Sequence, residues 1–374
     1  DYEKIIQDKT GLLIDPYFSA SKINWLLNKY NLYDNKNTLF GTIDTYLIWR
    51  LTNGKSHVTD ATNASRTQLY NIKTLTWDKD LLNIFNIPPS LLPQVKNCID
   101  DFGVTDPQYF GASIPIRAVA GDQQAAAIGQ LCITPGSCKI TYGTGCFVMQ
   151  NTGDTPVMSN HKLITTIGYL INNKASYALE GSIFVAGATI QWLRDAVKLI
   201  SNAEDTEHIA RQLEHTDGVY LVPAFTGLGA PYWDPQARGA ILGLTRETGL
   251  EHIVRAALES VCYQTRDLLS AFKLDYDLPV NIKVDGGMTA NNWLMQFLAD
   301  ITRITVHKPA DIESTIKGVA MLAGIGSGIL EPLDKLVLTQ TSQGSQKYTP
   351  TMPVEISNHL YQGWLNAVHR LLQK

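Results

Sequence analysis

IPIRAVAGDQQAAAIGQLC, residues 114–132, and CKITYGTGCFVMQ, residues 138–150, decide how the chain is read. In the first run Ile114, Ile116 and Val119 form an apolar segment that stops at Gly121. Asp122, Gln123 and Gln124 follow at once, and then a small-residue segment, Ala125 to Gln130. An apolar run punctuated by Gly and followed by an Ala-rich periodic segment predicts strand, tight turn and helix. That order places Asp122 at the free N-terminal end of a helix, where open α/β sheets hold ligands outside the strand ends. In the second run Ile140 to Tyr142 and Phe147 to Met149 read as two short strands joined by Gly143, Thr144 and Gly145. Two glycines around a small hydroxyl residue expose backbone N–H groups and one O–H, which can cradle a phosphate. A Gly-Thr-Gly run is also simply a hairpin turn. Close to an acid on a strand-to-helix turn, it suggests a base placed beside a phosphate donor.

The totals narrow the class. At 374 residues the chain has room for two domains. An apolar fraction of 44% fits a globular enzyme rather than a disordered or fibrous chain. With 31 basic against 35 acidic residues and no basic block, nothing favours a nucleic-acid partner. The five cysteines, Cys98, Cys132, Cys138, Cys146 and Cys262, lack metal-site spacing and suggest a reducing, cytoplasmic compartment. No run approaches the roughly 18 apolar residues of a membrane span.

Outward from the central stretch, residues 1 to 10 read as a helix closed by Thr10-Gly11, and Ser19 caps a second helix carrying Ile23, Leu26 and Leu27. Phe40 to Thr52 reads as a buried helix and Asp60 to Arg66 as a polar loop. The long segment Ala224 to Gly239 suits a lid or cleft wall. IKVDGGM, residues 282–288, repeats the plan of AVAGDQQ: an apolar strand, a Gly/Asp turn, then a helix. Two such units predict a nucleotide cleft between two α/β lobes. Trp25, Trp192 and Trp364, at helical spacing, are expected in the core.

Several runs carry a resemblance: DPYFSASK at 15–22, TDATNASRTQLYNI at 59–72, GDQQAA at 121–126, YGTGCF at 142–147, PYWDP at 231–235 and DGGMTANNWLMQ at 285–296. By these the chain resembles the glycerol kinases of the carbohydrate kinase family, on the actin-like, ribonuclease H-like ATPase fold. The resemblance implies an α/β, two-lobed kinase, with residues 1–130 as part of a polyol-binding lobe and 131–374 as a nucleotide-binding lobe. Family members open with an Asp-rich phosphate loop and an Arg-Glu pair, and this chain starts instead with DYEKIIQDKTGLLIDPYF, helical at once. The expectation is therefore a first lobe that is incomplete, its N-terminal segment missing, and a chain inactive by itself.

The implied activity is phosphorylation of glycerol to sn-glycerol 3-phosphate with ATP and Mg²⁺, by a cytoplasmic homo-oligomer (dimer or tetramer). Alternatives are a kinase for another small polyol or sugar, and a truncated, non-catalytic nucleotide-binding paralogue. The resemblance makes Asp122 the general base and a Mg²⁺ ligand, although an Asp at this turn would equally suit a helix cap. It assigns Tyr17, Gln123 and Phe147, with Asp122, to the substrate. It assigns Gly143, Thr144, Gly187, Gln191, Gly287 and Asn291 to the nucleotide. Arg66 and Arg238 are read as loop ties rather than phosphate ligands.

Overall fold

The computed structural model describes residues 2–339 and 344–372. Its central sheet has seven strands: β1 (Cys138–Tyr142), β2 (Cys146–Gly153), β3 (Ile164–Ile171), β4 (Lys174–Ile183), β5 (Asn281–Asp285), β6 (Thr305–Lys308) and β7 (Gln346–Tyr348). They are hydrogen-bonded in the order β7-β6-β5-β1-β2-β4-β3. β5 runs parallel to β1 and to β6, and the other neighbouring pairs are antiparallel. The alternation of β1 explains its place at the middle. Cys138, Ile140 and Tyr142 enter the main apolar core, whereas Lys139 and Thr141 point to the other face.

The longer helices ahead of the sheet are α1 (Tyr2–Thr10), α2 (Ser19–Lys29) and α3 (Ile43–Leu51), and α4 (Asp122–Gly129) leads into it. Then come α5 (Gly187–Asp195), α6 (Leu250–Asp275), α7 (Asn292–Thr302), α8 (Ser314–Gly326) and α9 (Val354–Leu372). The 26-residue α6 buries Val254, Leu258, Val261, Leu268 and Leu269, and its Tyr263 stacks on Trp364 of α9 at 5.5 Å.

The small residues of α4 have a direct cause. A Cβ on Gly129 would meet the Ser314 carbonyl oxygen at 2.0 Å, and one on Gly318 would meet the Ala125 carbonyl oxygen at 1.8 Å. α4 and α8 therefore cross backbone against backbone, which only glycine permits at the two contact points. This crossing holds the helix that begins with Asp122.

The first 130 residues close around apolar clusters of their own. One gathers Ala20, Ile23, Leu27, Leu69, Leu82, Ile87 and Leu91, and another Ile48, Val58, Phe102 and Val119. A third joins them to the sheet, packing Tyr70, Ile72 and Cys98 with Ile128, Ile167, Leu170 and Tyr177.

Several sequence expectations are corrected. Residues 114–119 make no strand; they pair irregularly with residues 98–105 through two isolated bridges, Ile99 with Ala118 and Val104 with Pro115. Pro115 has no N–H to extend a ladder. The helix within Phe40 to Thr52 is not buried: only Thr45 and Ile48 are, while Ile43, Tyr46 and Leu47 are exposed. Trp25 is likewise exposed, with the Lys29 ammonium 4.3 Å from its ring centre. Phe18 rather than Ser19 occupies the cap of α2. Asp60 to Arg66 contains a helical turn, Ala61–Ala64, capped by the Asp60 carboxylate.

The segment Ala224 to Gly239 is pinned rather than loose. Leu228, Ala230 and Ala237 enter the main core, and the Tyr232 hydroxyl donates to Asp267 Oδ2 at 2.9 Å. That buried carboxylate also accepts from the Tyr361 hydroxyl at 2.5 Å and from Trp364 Nε1 at 2.8 Å. Three elements thus meet on one acid.

Candidate active site

Asp122 is the first residue of α4, and its side chain is exposed. The turn before it is fixed from the first 130 residues. The buried Asp60 carboxylate accepts from the Thr62 hydroxyl at 2.6 Å, and that hydroxyl oxygen accepts from the Gly121 N–H at 2.8 Å. Asp122 Oδ1 accepts from the Gln123 N–H at 2.7 Å, while Oδ2 makes no hydrogen bond among the described residues.

Gln123 is tied to the sheet. Its Oε1 accepts from Lys139 Nζ, and Lys139 Nζ also donates to Thr141 Oγ1 at 2.8 Å. Thr141 lies directly across the hairpin from Phe147. The structure thus joins Asp122, Gln123 and Phe147 through two residues the sequence motifs did not single out. Tyr17 is exposed and lies beside Arg66 rather than in this group. Arg66 makes a two-pronged pair with Glu180 of β4, both bonds 2.8 Å, and Arg238 donates to the carbonyls of Pro235 and Ala237. Both arginines tie chain segments.

One strand turn further on, β1 ends at a cleft of about 400 Å³. Gly143, Thr144, Gly187, Gln191, Gly287 and Asn291 all line it, with apolar Ile190, Leu258, Met288 and Leu294. The hairpin turn and α5 are docked as a unit. The N–H groups of Ala186 and Ala188 donate to the Thr144 carbonyl, and that of Gly187 donates to the Gly143 carbonyl. The first donors of α5 are therefore engaged within the fold. The Thr144 N–H and hydroxyl make no hydrogen bond among the described residues, and both residues of the turn's tip, Gly143 and Thr144, are exposed.

The two glycines after β5 divide their work. Gly286, at φ +91°, would drive a Cβ to 2.3 Å from the Tyr142 carbonyl oxygen, so it serves the packing of β5 on β1. Gly287 has open space around it. Asn291 caps α7, accepting from the Leu294 N–H at 2.9 Å.

This geometry is matched by sequence. The FGGY family of carbohydrate kinases, N-terminal domain, matches residues 1–129, and its C-terminal domain matches residues 138–327. The chain belongs to the FGGY family of carbohydrate kinases. The match corrects the expectation of an incomplete first lobe at the level of domains: both family domains are represented in the chain, and both lobes of the actin-like, ribonuclease H-like fold are present. That expectation rested on opening motifs, whereas the domain is carried by the apolar packing of residues 1–129. Glycerol kinase 1 of Pseudomonas aeruginosa is 54% identical over 374 residues, covering 99% of this chain and 75% of that protein. The glycerol kinase of Alcanivorax borkumensis is 51% identical, covering 100% of this chain and 75% of that protein. Among solved structures, Plasmodium falciparum glycerol kinase with ADP superposes with a TM-score of 0.91 at 39% identity, covering 100% of this chain and 75% of that one.

Residues outside the sequence reading also belong to this constellation. Lys139, Thr141, Asp60 and Thr62 position Asp122 and Gln123, and Arg194, Glu204 and Glu207 line the cleft. A lysine between Cys138 and Ile140 carries the signal of a polar alternate in a strand, which ordinarily means a solvated face. No helix is long and apolar enough to cross a membrane among the described residues.

Proposed function

We infer that the chain transfers the γ-phosphate of ATP to glycerol, giving sn-glycerol 3-phosphate. It is a kinase of the glycerol kinase type, as the extent and identity of its match to bacterial glycerol kinases support. The single observation that carries the reading is the physical link between an exposed acid and a nucleotide-sized cleft. Asp122 and Gln123 are bonded through Lys139 and Thr141 to the strand whose tip, Gly143-Thr144, lines that cleft.

In this reading Asp122 orients the acceptor hydroxyl and takes its proton as the new P–O bond forms. Gln123 hydrogen-bonds the polyol, Phe147 offers an aromatic wall to its carbon face, and Tyr17 approaches from the first lobe. Gly143, Thr144, Gly187, Gln191, Gly287 and Asn291 receive the nucleotide. The open backbone at Gly287 and the unengaged N–H and O–H of Thr144 fit phosphate and ribose groups. Residues 1–130 act as the polyol lobe and 131–374 as the nucleotide lobe.

Mg²⁺ also fits the residues present. Among the described residues no three acidic, His or Cys side chains form a cage, and Mg²⁺ binds through one or two carboxylates plus phosphate oxygens and water. Asp122, with Oδ2 unengaged, would hold it. Bound there, the ion offsets charge on the transferring phosphoryl group. The five cysteines, all buried and unpaired, support a reducing, cytoplasmic setting. We read the protein as a homo-oligomer, which light scattering tests; a monomer at micromolar concentration would refute it.

The substrate assignment is tested by initial rates with Mg-ATP and glycerol, erythritol, dihydroxyacetone or xylulose. The highest kcat/KM is expected with glycerol. A clear preference for xylulose or erythritol would replace glycerol with that acceptor.

A further inference from the structure

Lys139 is an ammonium with no exposure to solvent, placed in the middle of the central sheet. Burial pulls its pKa down, while the carboxylates of Asp285, Glu180 and Asp122 act to hold its charge. A buried charge of this kind persists only when hydrogen-bonded and paired. Its two bonds go to the Thr141 hydroxyl oxygen and to the side-chain oxygen of Gln123.

The second bond has a chemical consequence. A glutamine amide carries an acceptor oxygen and a two-donor NH₂ group on one carbon, and the two ends are nearly equal in shape. An ammonium has donors only, so it can bond the oxygen and never the NH₂ group. Lys139 therefore decides which way round the Gln123 amide sits. Nε2 is left without a hydrogen bond among the described residues, next in sequence to Asp122.

We propose that Lys139 is a positioning residue for acceptor recognition, clamping the Gln123 oxygen so that Nε2 presents its two N–H donors to a hydroxyl oxygen of the polyol. The group that donates to the base would then be one hydroxyl of the polyol, and the oxygen read by Gln123 its neighbour, so the clamp selects vicinal polyols over simple alcohols. The proposal rests on the assignment of Asp122 and Gln123 to the acceptor site.

The test compares Lys139→Met, Gln123→Ala, the double variant and Gln123→Glu by steady-state kinetics with glycerol and ATP. Lys139→Met is expected to raise KM for glycerol about tenfold, the worth of one hydrogen bond, with KM for ATP within about twofold of the wild type. In the Gln123→Ala background the same change should add less than about twofold, since the amide it orients is gone. Gln123→Glu keeps an oxygen for Lys139 but has no N–H, so it should fold and still show the raised KM for glycerol, which covers the case of Lys139→Met failing to fold. An unchanged KM for glycerol in Lys139→Met or Gln123→Glu, or a full effect of Lys139→Met in the double variant, overturns the clamp. An unchanged KM in Gln123→Ala overturns the acceptor-site assignment itself, and the clamp with it.

Discussion

The Asp122 carboxylate makes a single hydrogen bond among the described residues, from the Gln123 N–H at 2.7 Å. An asparagine can keep that bond through its carbonyl oxygen while losing the basic oxygen. Asp122→Asn should therefore lower kcat by about 10²–10⁴, the usual range for a positioned acid or base. KM for ATP should change far less than kcat, because Asp122 does not line the cleft and would meet the nucleotide only through Mg²⁺. A fall of less than tenfold would take the role away from this residue. That Asp122 opens a helix and that Gly143-Thr144-Gly145 turns a hairpin was legible in the sequence, because acids and glycines interrupt apolar runs where a backbone must turn. Lys139 was not. Its meaning depends on which side chain lies across the fold from it, and no local spacing encodes that.

Among the elements, α4 and α8 are the most tightly constrained pair. A methyl group on Gly318 would lie 1.8 Å from the Ala125 carbonyl oxygen, so the helices must part to admit it. Gly318→Ala is expected to cost at least about 1–3 kcal/mol, the range for overpacking, read as a lower midpoint in urea unfolding. Since α4 starts at Asp122, the folded fraction should also lose activity; an unchanged midpoint would mean that the crossing is looser than the structure has it. The hairpin strands β1 and β2 were legible from the apolar runs on either side of Gly143-Thr144-Gly145. Two elements were not. The apolar run at 114–119 looks like a strand until Pro115 is asked to donate a bond, and α3 carries apolar residues all round, so its sequence does not say which stripe is covered.

Across the whole molecule, buried acids set the response to pH. Burial raises Asp267 from an ordinary 3.8 to about 6, against the hydrogen bonds from Tyr361, Trp364 and Tyr232, which favour the ionised form. A carboxyl raised by folding binds its proton more tightly in the native state. Its contribution to stability is complete below the unfolded value, near pH 3.8, and is lost as pH rises through about 6. A shift of this size corresponds to about 3 kcal/mol. Unfolding free energy followed across that window should fall in the wild type and fall less in Asp267→Asn, which is also weaker throughout for want of one acceptor. Parallel profiles would locate the proton on another group.

The five cysteines, all buried, sit in different places: Cys98 in the cluster that joins the first 130 residues to the sheet, Cys138, Cys146 and Cys262 in the main core. Burial pushes each of their thiols up, Cys132 to about 11, so the native protein offers a modifying reagent almost no thiolate. Labelling can then proceed only as fast as the chain opens. The protein carries its own clock for local unfolding, and mass spectrometry of labelled peptides would show whether Cys98 ticks ahead of the sheet or in step with it.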